Sequence, residues 1–499
     1  MARTTVLGGS RPAAAAVPPE RVADANAAPV RAGGRHVLYW MIGARRTVWN
    51  FGLQHAVERA RELGRPLLVL EALRAAYPFA AARFHRFVLD GMRDNAARFQ
   101  AAGVTYYPYV EPEAGAGRGL LERLAAEACL VVTDDVPFFF LPRMVRAAAR
   151  RLPVRLERVD GNGLLPWRRA GRAHDTARSF RALLQRELPS RLHELPAADP
   201  LADGAPPGRA SVPADVRRRW PAAAPDLLAG RRGLERLPID HAVPPVPIAG
   251  GPVAGRAALD RFLERLDRYE VERNDPDRDA TSGLSAYLHF GHLSAHEVFA
   301  AVAAVERWNE GRLGRPAGGA RAGWWGMGPS AEAFLDQLVT WRELALNRCA
   351  FDEAPERWES LPAWARETLE RHAGDPRPRV YAPDELERAE THDQLWNAAQ
   401  TQLVREGRLH NYLRMLWGKK ILEWSATPRE ALATMLRLND RWALDGRDAN
   451  SIAGVAWVLG RYDRPWGPER PIFGTVRFMS SANTARKVRV REFLGRYGR

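Results

Sequence analysis

The sequence predicts two parts of different class: an α/β doubly wound, mostly parallel sheet, then an all-α region. Three observations lead there. Between His36 and Val159, short and continuously apolar runs alternate with stretches of helical periodicity, as do strands buried on both faces by crossover helices. Beyond Ala257 the periodicity is helical almost throughout, interrupted by Gly and Pro. At 499 residues, the chain is longer than one core normally serves.

In order, residues 1–35 are rich in Ala, Pro, Arg and Gly and lack a compact apolar segment after a basic start. They predict a disordered arm rather than a signal peptide. Residues 36–162 predict a Rossmann-like domain. Its strands are His36–Met41, Pro66–Leu73, Val104–Val110, Leu130–Thr133 and Val154–Val159, and its helices are Val48–Leu63, Ala81–Ala102, Leu120–Ala128 and Pro142–Arg151. Residues 163–250 gather Pro and Ala, with a short helical piece at Ala177–Glu187, and predict a connector wrapped over the surface. Residues 251–499 form the helical part; within them 310–330 is a Gly-rich, mobile loop that carries Trp324 and Trp325.

Composition narrows the function. Two cysteines, Cys129 and Cys349, exclude a disulfide framework and a Cys-based zinc site, and suit a reducing cytoplasm. No metal site is expected. No apolar run reaches the ~18–20 residues of a membrane span. The net charge of +15 favours a polyanionic partner. After Gly460, Arg461, Arg464, Arg470, Arg477 and further basic residues are interleaved with Tyr462, Trp466, Phe473 and Phe478, a mix on which unpaired bases stack.

The most informative stretch is Thr391–Trp424. It carries Trp396, Trp417 and Trp424 on two consecutive predicted helices, with His410, Asn411 and Arg414 on the second. Aromatic residues at helical spacing are ordinarily core packing, yet several oxidisable indoles together also suit a redox cofactor. Thr281, Ser282, Gly283, Leu284 and Ser285 set hydroxyls and a permissive backbone before a helix, which reads either as a cap or as a phosphate site. The usual Gly-rich nucleotide loops are absent. In FLDQLVTWRELALN, Gln337, Trp341 and Glu343 lie along a predicted helix, where Gln337 and Trp341 fall at i and i+4 and face the same way. Arg414 and Asp445 have opposite charge and can pair.

Five ordered blocks carry a resemblance: SGLSAYLHFGHLS, FLDQLVTWRELALN, THDQLWNAAQTQLVREGRLHNYLRMLWGKKILEW, LNDRWALDGRDAN and DRPWGPERPIFGTVRFMS. Together they resemble the photolyase/cryptochrome family, most closely its class II cyclobutane pyrimidine dimer photolyases. The resemblance implies an antenna domain joined to a helical domain that binds FAD. It implies light-driven splitting of pyrimidine dimers in DNA by an electron from excited, fully reduced flavin. Tyr269 and Thr281–Ser285 would contact FAD, chiefly at its phosphates. Asn411, Arg414 and Asp445 would line the flavin, and Asn439 would lie near its N5. Trp417, Trp396 and Trp424, in that order outward, match an electron relay. Trp341 and Trp457 match a pair that packs on the flipped-out dimer, and Arg477 a DNA-contacting arginine. A second, antenna chromophore of unassigned identity is also implied. The expected partner is dimer-containing DNA, bound by a cytoplasmic, nucleoid-associated monomer.

One departure stands out. The family usually has glutamate where Gln337 aligns, and an amide can hydrogen-bond to the dimer but cannot protonate it. Asp336 would point about 100° away on an α-helix. Gln337 is the feature that favours the alternative, a cryptochrome-like photoreceptor without efficient repair; a third reading is a DNA-binding protein that has lost its flavin.

Overall fold

The computed structural model describes residues 16–315 and 318–498. Among these, six strands form one sheet in the order β1-β6-β5-β2-β3-β4. They are β1 (Val22–Asp24), β2 (His36–Met41), β3 (Leu67–Leu73), β4 (Thr105–Val110), β5 (Ala128–Asp134) and β6 (Leu156–Val159). All neighbours pair in parallel except β1, which runs antiparallel to β6. Every residue of β2 and β5 is buried, so the uninterrupted apolar runs have their physical cause in helices on both faces.

Helix α1 (Phe51–Glu62) begins where the Asn50 side chain accepts a hydrogen bond from the Leu53 N–H, a normal N-cap. Helix α2 (Ala82–Ala101) follows β3, and the short helices α3 (Leu120–Ala125) and α4 (Leu141–Ala149) flank β5. The four expected helices are present with shifted ends: Leu141–Ala149 starts one residue earlier than expected, and Leu120–Ala125 stops short because β5 begins at Ala128.

Three expectations need correction. Residues 16–35 are not a disordered arm: β1 pairs with the sheet edge, and Arg21 is fully buried. The Arg21 guanidinium donates to the carbonyls of Asp160, Gly163 and Leu164, and composition alone does not foresee such anchoring. Residues 1–15 of the predicted arm lie outside the described residues. The connector does not merely wrap the surface. Its helix α5 (Ala177–Glu187) buries Phe180, Leu183 and Leu184 in the helical core, while Val216 and Trp220 join the core beside the sheet. In the Gly-rich loop Trp324 and Trp325 are each 5% exposed, with ring centroids 4.3 Å apart, so core packing anchors its second half.

The helical part meets the sheet through backbone. Gly291 has φ +71°, and a Cβ there would lie 1.7 Å from the Gly43 carbonyl oxygen. Arg46 donates to the Gly291 carbonyl at 3.0 Å, and Arg83 on α2 donates to the carbonyls of Val404 and Trp442, each at 2.6 Å.

Candidate functional site

The helices Gln394–Glu406, Asn411–Trp424, Pro428–Trp442 and Ala449–Val458 bring most of the expected residues into one region. Arg414 is the hub. Its Nη1 donates to Asn439 Oδ1 at 3.0 Å, and its Nη2 reaches both Asp445 oxygens at 3.2 and 3.3 Å. Asn439 is buried, and its amide nitrogen donates to Asp440 Oδ1 at 3.1 Å and to Ser451 Oγ. Both ends of that amide are thus held by protein. Asn411 is exposed at the start of its helix.

The tryptophans form a buried path. Trp396 donates its indole N–H to the Trp417 carbonyl at 3.0 Å and meets the Trp424 ring edge-on at 5.5 Å between centroids. Trp417 donates its own N–H to Gln400 Oε1 at 2.8 Å. Trp424 continues to Tyr381 at 5.4 Å, whose hydroxyl pairs with His392 Nδ1 at 2.6 Å. Trp396 is 0% and Trp417 2% exposed; both indole N–H groups end on amide oxygens, poor proton acceptors that leave an oxidised ring its proton.

Trp341 and Trp457 pack on each other, with centroids 5.5 Å apart and planes inclined at 31°, and Tyr462 stands edge-on to Trp341 at 6.3 Å. Both indoles are half-buried. Gln337 belongs to the same helical run but not in the expected geometry. The segment Asp336–Trp341 is a π-helix inserted between the α-helices Pro329–Leu335 and Arg342–Phe351. Its i→i+5 bonding alters the expected i, i+4 relation of Gln337 to Trp341. Gln337 is half-buried, and its amide has no hydrogen bond among the described residues. Asp336 is committed elsewhere, in a buried two-pronged pair with Arg181 at 2.7 and 3.1 Å, so it cannot stand in for the missing glutamate. Glu343 is likewise committed, accepting from the Leu164 and Leu165 N–H groups at 2.8 and 3.1 Å; burial, opposed by those donors, pushes its carboxyl up to about 7.

In the run Thr281–Ser285, Gly283 and Ser285 are exposed, Thr281 and Ser282 half-buried, and Leu284 buried. Gly283 has φ +70° with nothing in front of it. Ser285 is exposed at the start of the helix Ser285–His289, whose N-terminus has no side-chain cap. Ser282 Oγ accepts from the Leu284 N–H at 3.4 Å. Tyr269 differs: its ring is buried edge-on against Phe262 and Phe334, and burial raises its hydroxyl pKa. This donor set suits a diphosphate. His410 nearby is 4% exposed, and neither of its ring nitrogens has a partner among the described residues. These hydroxyls, uncapped amides and an orphaned buried imidazole together fit a dinucleotide such as FAD.

Arg477 extends toward solvent from a cation–π stack. Its guanidinium lies 4.2 Å and that of Arg464 4.6 Å from the Trp466 ring. Asp463 holds the group together, accepting from Arg477 Nε at 3.1 Å and from the Trp466 indole N–H at 3.0 Å. Sequence reasoning missed Asp463, Ser451, Gln400, Tyr381 and His392. They are single polar or aromatic residues without a periodic signal, and only tertiary contact reveals them.

A second feature is a cavity of about 600 Å³ beside the sheet. It lies outside the ends of β2 and β5, lined by Ile42, Gly43, Asp134 and Val136, with Phe139 and Arg447 among its other walls. Here the strand order reverses, the usual ligand crevice of such sheets. Asp134 shapes its floor by accepting from the Ile42, Gly43 and Ala44 N–H groups at 2.7–3.0 Å and from the Tyr39 hydroxyl. Among the described residues, no group of His, Cys, Asp and Glu is arranged to hold a metal, and no helix is long and apolar enough to cross a membrane.

No family model matches the chain. Individual proteins do. The deoxyribodipyrimidine photo-lyase of Methanothermobacter thermautotrophicus is 33% identical over 479 residues, 96% of this chain and 98% of that protein. Those of Oryza sativa subsp. japonica and Potorous tridactylus are 34% and 32% identical, over 92% and 91% of this chain and 87% and 80% of theirs. In fold, the chain is similar to a class III photolyase from Agrobacterium tumefaciens, with a TM-score of 0.66, 17% identity, and coverage of 93% of this chain and 86% of that one. Nothing in these relatives or in the structure favours the photoreceptor alternative. The chain belongs to the deoxyribodipyrimidine photo-lyase family.

Proposed function

We propose that this protein uses light to split cyclobutane pyrimidine dimers in DNA. The observation that carries the reading is a juxtaposition. The Arg414–Asn439–Asp445 cluster, the buried tryptophans and the Trp341–Trp457 pair come from packed helices, the π-helix and the turn that carries Asp445, in a chain whose relatives are named for this reaction.

The cofactor in this reading is FAD. Bound, reduced and excited by light, a flavin supplies the single electron that opens a cyclobutane ring, so no acid–base triad is required. Thr281, Ser282, Gly283, Leu284 and Ser285 would hold its phosphates, and Tyr269 would contact it as well. Asn411, Arg414 and Asp445 line the ring, and the carboxylate keeps the guanidinium in place. Asn439, fixed by Arg414 and Ser451, would lie near the flavin ring. Trp417, Trp396 and Trp424 would serve as the relay that reduces an oxidised flavin and would not be needed for ring opening. The assignment to class II rests on this tryptophan arrangement.

DNA reaches the site by base flipping, as it does in photolyases generally. A damaged step stacks poorly, which lowers the cost of rotation. Trp341 and Trp457 offer apolar faces to the extruded dimer, Gln337 hydrogen-bonds to it, and Arg477 contacts the strand. The net charge of +15 attracts the backbone and makes affinity salt-dependent. The switch-point cavity takes a second, light-harvesting chromophore. We assign residues 36–162 as the antenna-type domain and 251–499 as the domain for flavin and DNA, in a cytoplasmic monomer that works on the nucleoid.

The test is direct. Photoreduced protein is mixed with thymine-dimer DNA and illuminated with blue or near-UV light, and intact thymines are measured. Restoration is expected; its absence with fully reduced flavin present rejects the reading.

A further inference from the structure

His410 precedes the Asn411–Trp424 helix as its N-cap residue, yet its side chain makes no capping bond. Its own N–H donates to Gln402 Oε1 at 3.0 Å, so the backbone is satisfied and only the ring is not. Buried polar groups in folded proteins are almost always paired, and two orphaned nitrogens on one buried ring require a reason. Burial pushes the imidazole down to about 4, with Asp279 and Asp275 raising it and Arg408 lowering it. At neutral pH the ring is therefore uncharged, with one N–H to donate and one lone pair to fill.

Its surroundings point to an anion. The first N–H groups of this 14-residue helix, on Asn411, Tyr412 and Leu413, have no acceptor among the described residues. They form the positive end of the helix dipole. The nearby cation is already engaged: Arg408 is locked to Asp279 at 2.6 and 2.8 Å and to Glu406 at 2.7 Å. Asp279 also faces the Thr281 hydroxyl at 3.5 Å, which joins His410 to the Thr281–Ser285 run. One turn along the same helix stands Arg414.

We propose that His410, with the free N–H groups opening its helix, holds the diphosphate bridge of the bound dinucleotide. The inference rests on the FAD reading and adds to it a residue to which that reading gives no part. A neutral imidazole matches a ligand offering both an acceptor oxygen and a hydroxyl donor, and a diphosphate flanked by ribose and ribityl groups offers both.

The experiment compares FAD with riboflavin, which lacks the diphosphate bridge and the adenosine beyond it. Full-length apoprotein, wild type and His410→Phe, is titrated with FAD and with riboflavin, and binding is followed by flavin fluorescence. His410→Phe should bind FAD about tenfold or more weakly, the usual cost of losing a hydrogen bond to a charged group, and riboflavin with unchanged affinity. Because the ring is unpartnered without ligand, apo His410→Phe should melt no lower than apo wild type, whereas the FAD-loaded variant should melt below loaded wild type. His410→Gln, which retains a donor, should recover part of the FAD affinity and keeps the test available if the phenylalanine variant does not fold. Equal FAD affinity in all three proteins overturns the assignment and leaves the cofactor reading intact. Equal loss of FAD and riboflavin, or a destabilised apoprotein, also overturns it, because His410 would then be shaping the fold. Wild type that binds no flavin at all rejects the cofactor reading itself.

Discussion

At the scale of single residues, the site separates groups that hold from groups that react. Gln337 stands where the resemblance implies a glutamate. Glu at this position could share a proton with the dimer, and an amide cannot. Gln337→Glu should therefore raise the repair yield per absorbed photon, and an unchanged yield would show that the amide already suffices. Trp417→Phe should slow photoreduction of oxidised flavin while leaving repair by pre-reduced protein largely intact; parallel loss of both activities would contradict the relay assignment. Trp341→Ala should weaken binding of dimer-containing DNA by ~1–3 kcal/mol, the worth of one base–aromatic stack, as read from titrations with damaged and undamaged duplexes. An equal loss on both duplexes would mean that this indole serves the Trp457 contact alone.

At the scale of elements, strands and helices of the sheet were legible because each repeats a pattern: runs apolar on both faces for strands, a 3.6-residue period for helices. The tryptophan helices were legible for the same reason. The π-helix Asp336–Trp341 was not, since its registration differs from an α-helix without changing which residues are apolar. Nor was the strand Val22–Asp24, three residues long and held by an edge pairing and by buried Arg21. Of the site, Arg414 and Asp445 could be paired from sign alone, whereas Asp463 under Arg477 and Trp466 required the folded chain. The π segment leans on the Arg181–Asp336 pair, whose side chains are 13% and 4% exposed. Arg181→Leu removes both hydrogen bonds to a buried carboxylate, leaving it the more exposed Arg321 at 3.5 Å, and should cost about 3–5 kcal/mol, measurable by urea unfolding; a loss below ~1 kcal/mol, the scale of a surface pair, would mean that Arg321 suffices.

At the scale of the whole molecule, buried histidines should weaken the fold in acid. Burial pushes His36, His85 and His410 down to about 4 and His292 to about 3 from an ordinary 6.5. Between those values the unfolded chain takes up protons that the folded chain refuses, so ΔG of unfolding falls as pH drops from 6.5 toward 4. Denaturant titrations across that range should show the decline, and His36→Gln combined with His85→Gln should make it shallower; an unchanged slope would assign the decline to carboxylates. The same scale explains how the two halves meet. At Gly291 they touch backbone to backbone, with no space for one added carbon. A joint of bare main chain has no rotamers to wander among, so its thickness is the same in every copy. Any pigment lodged beside it keeps one spacing and one orientation relative to the helices behind, and a process that depends steeply on both would then proceed at one rate rather than over a spread.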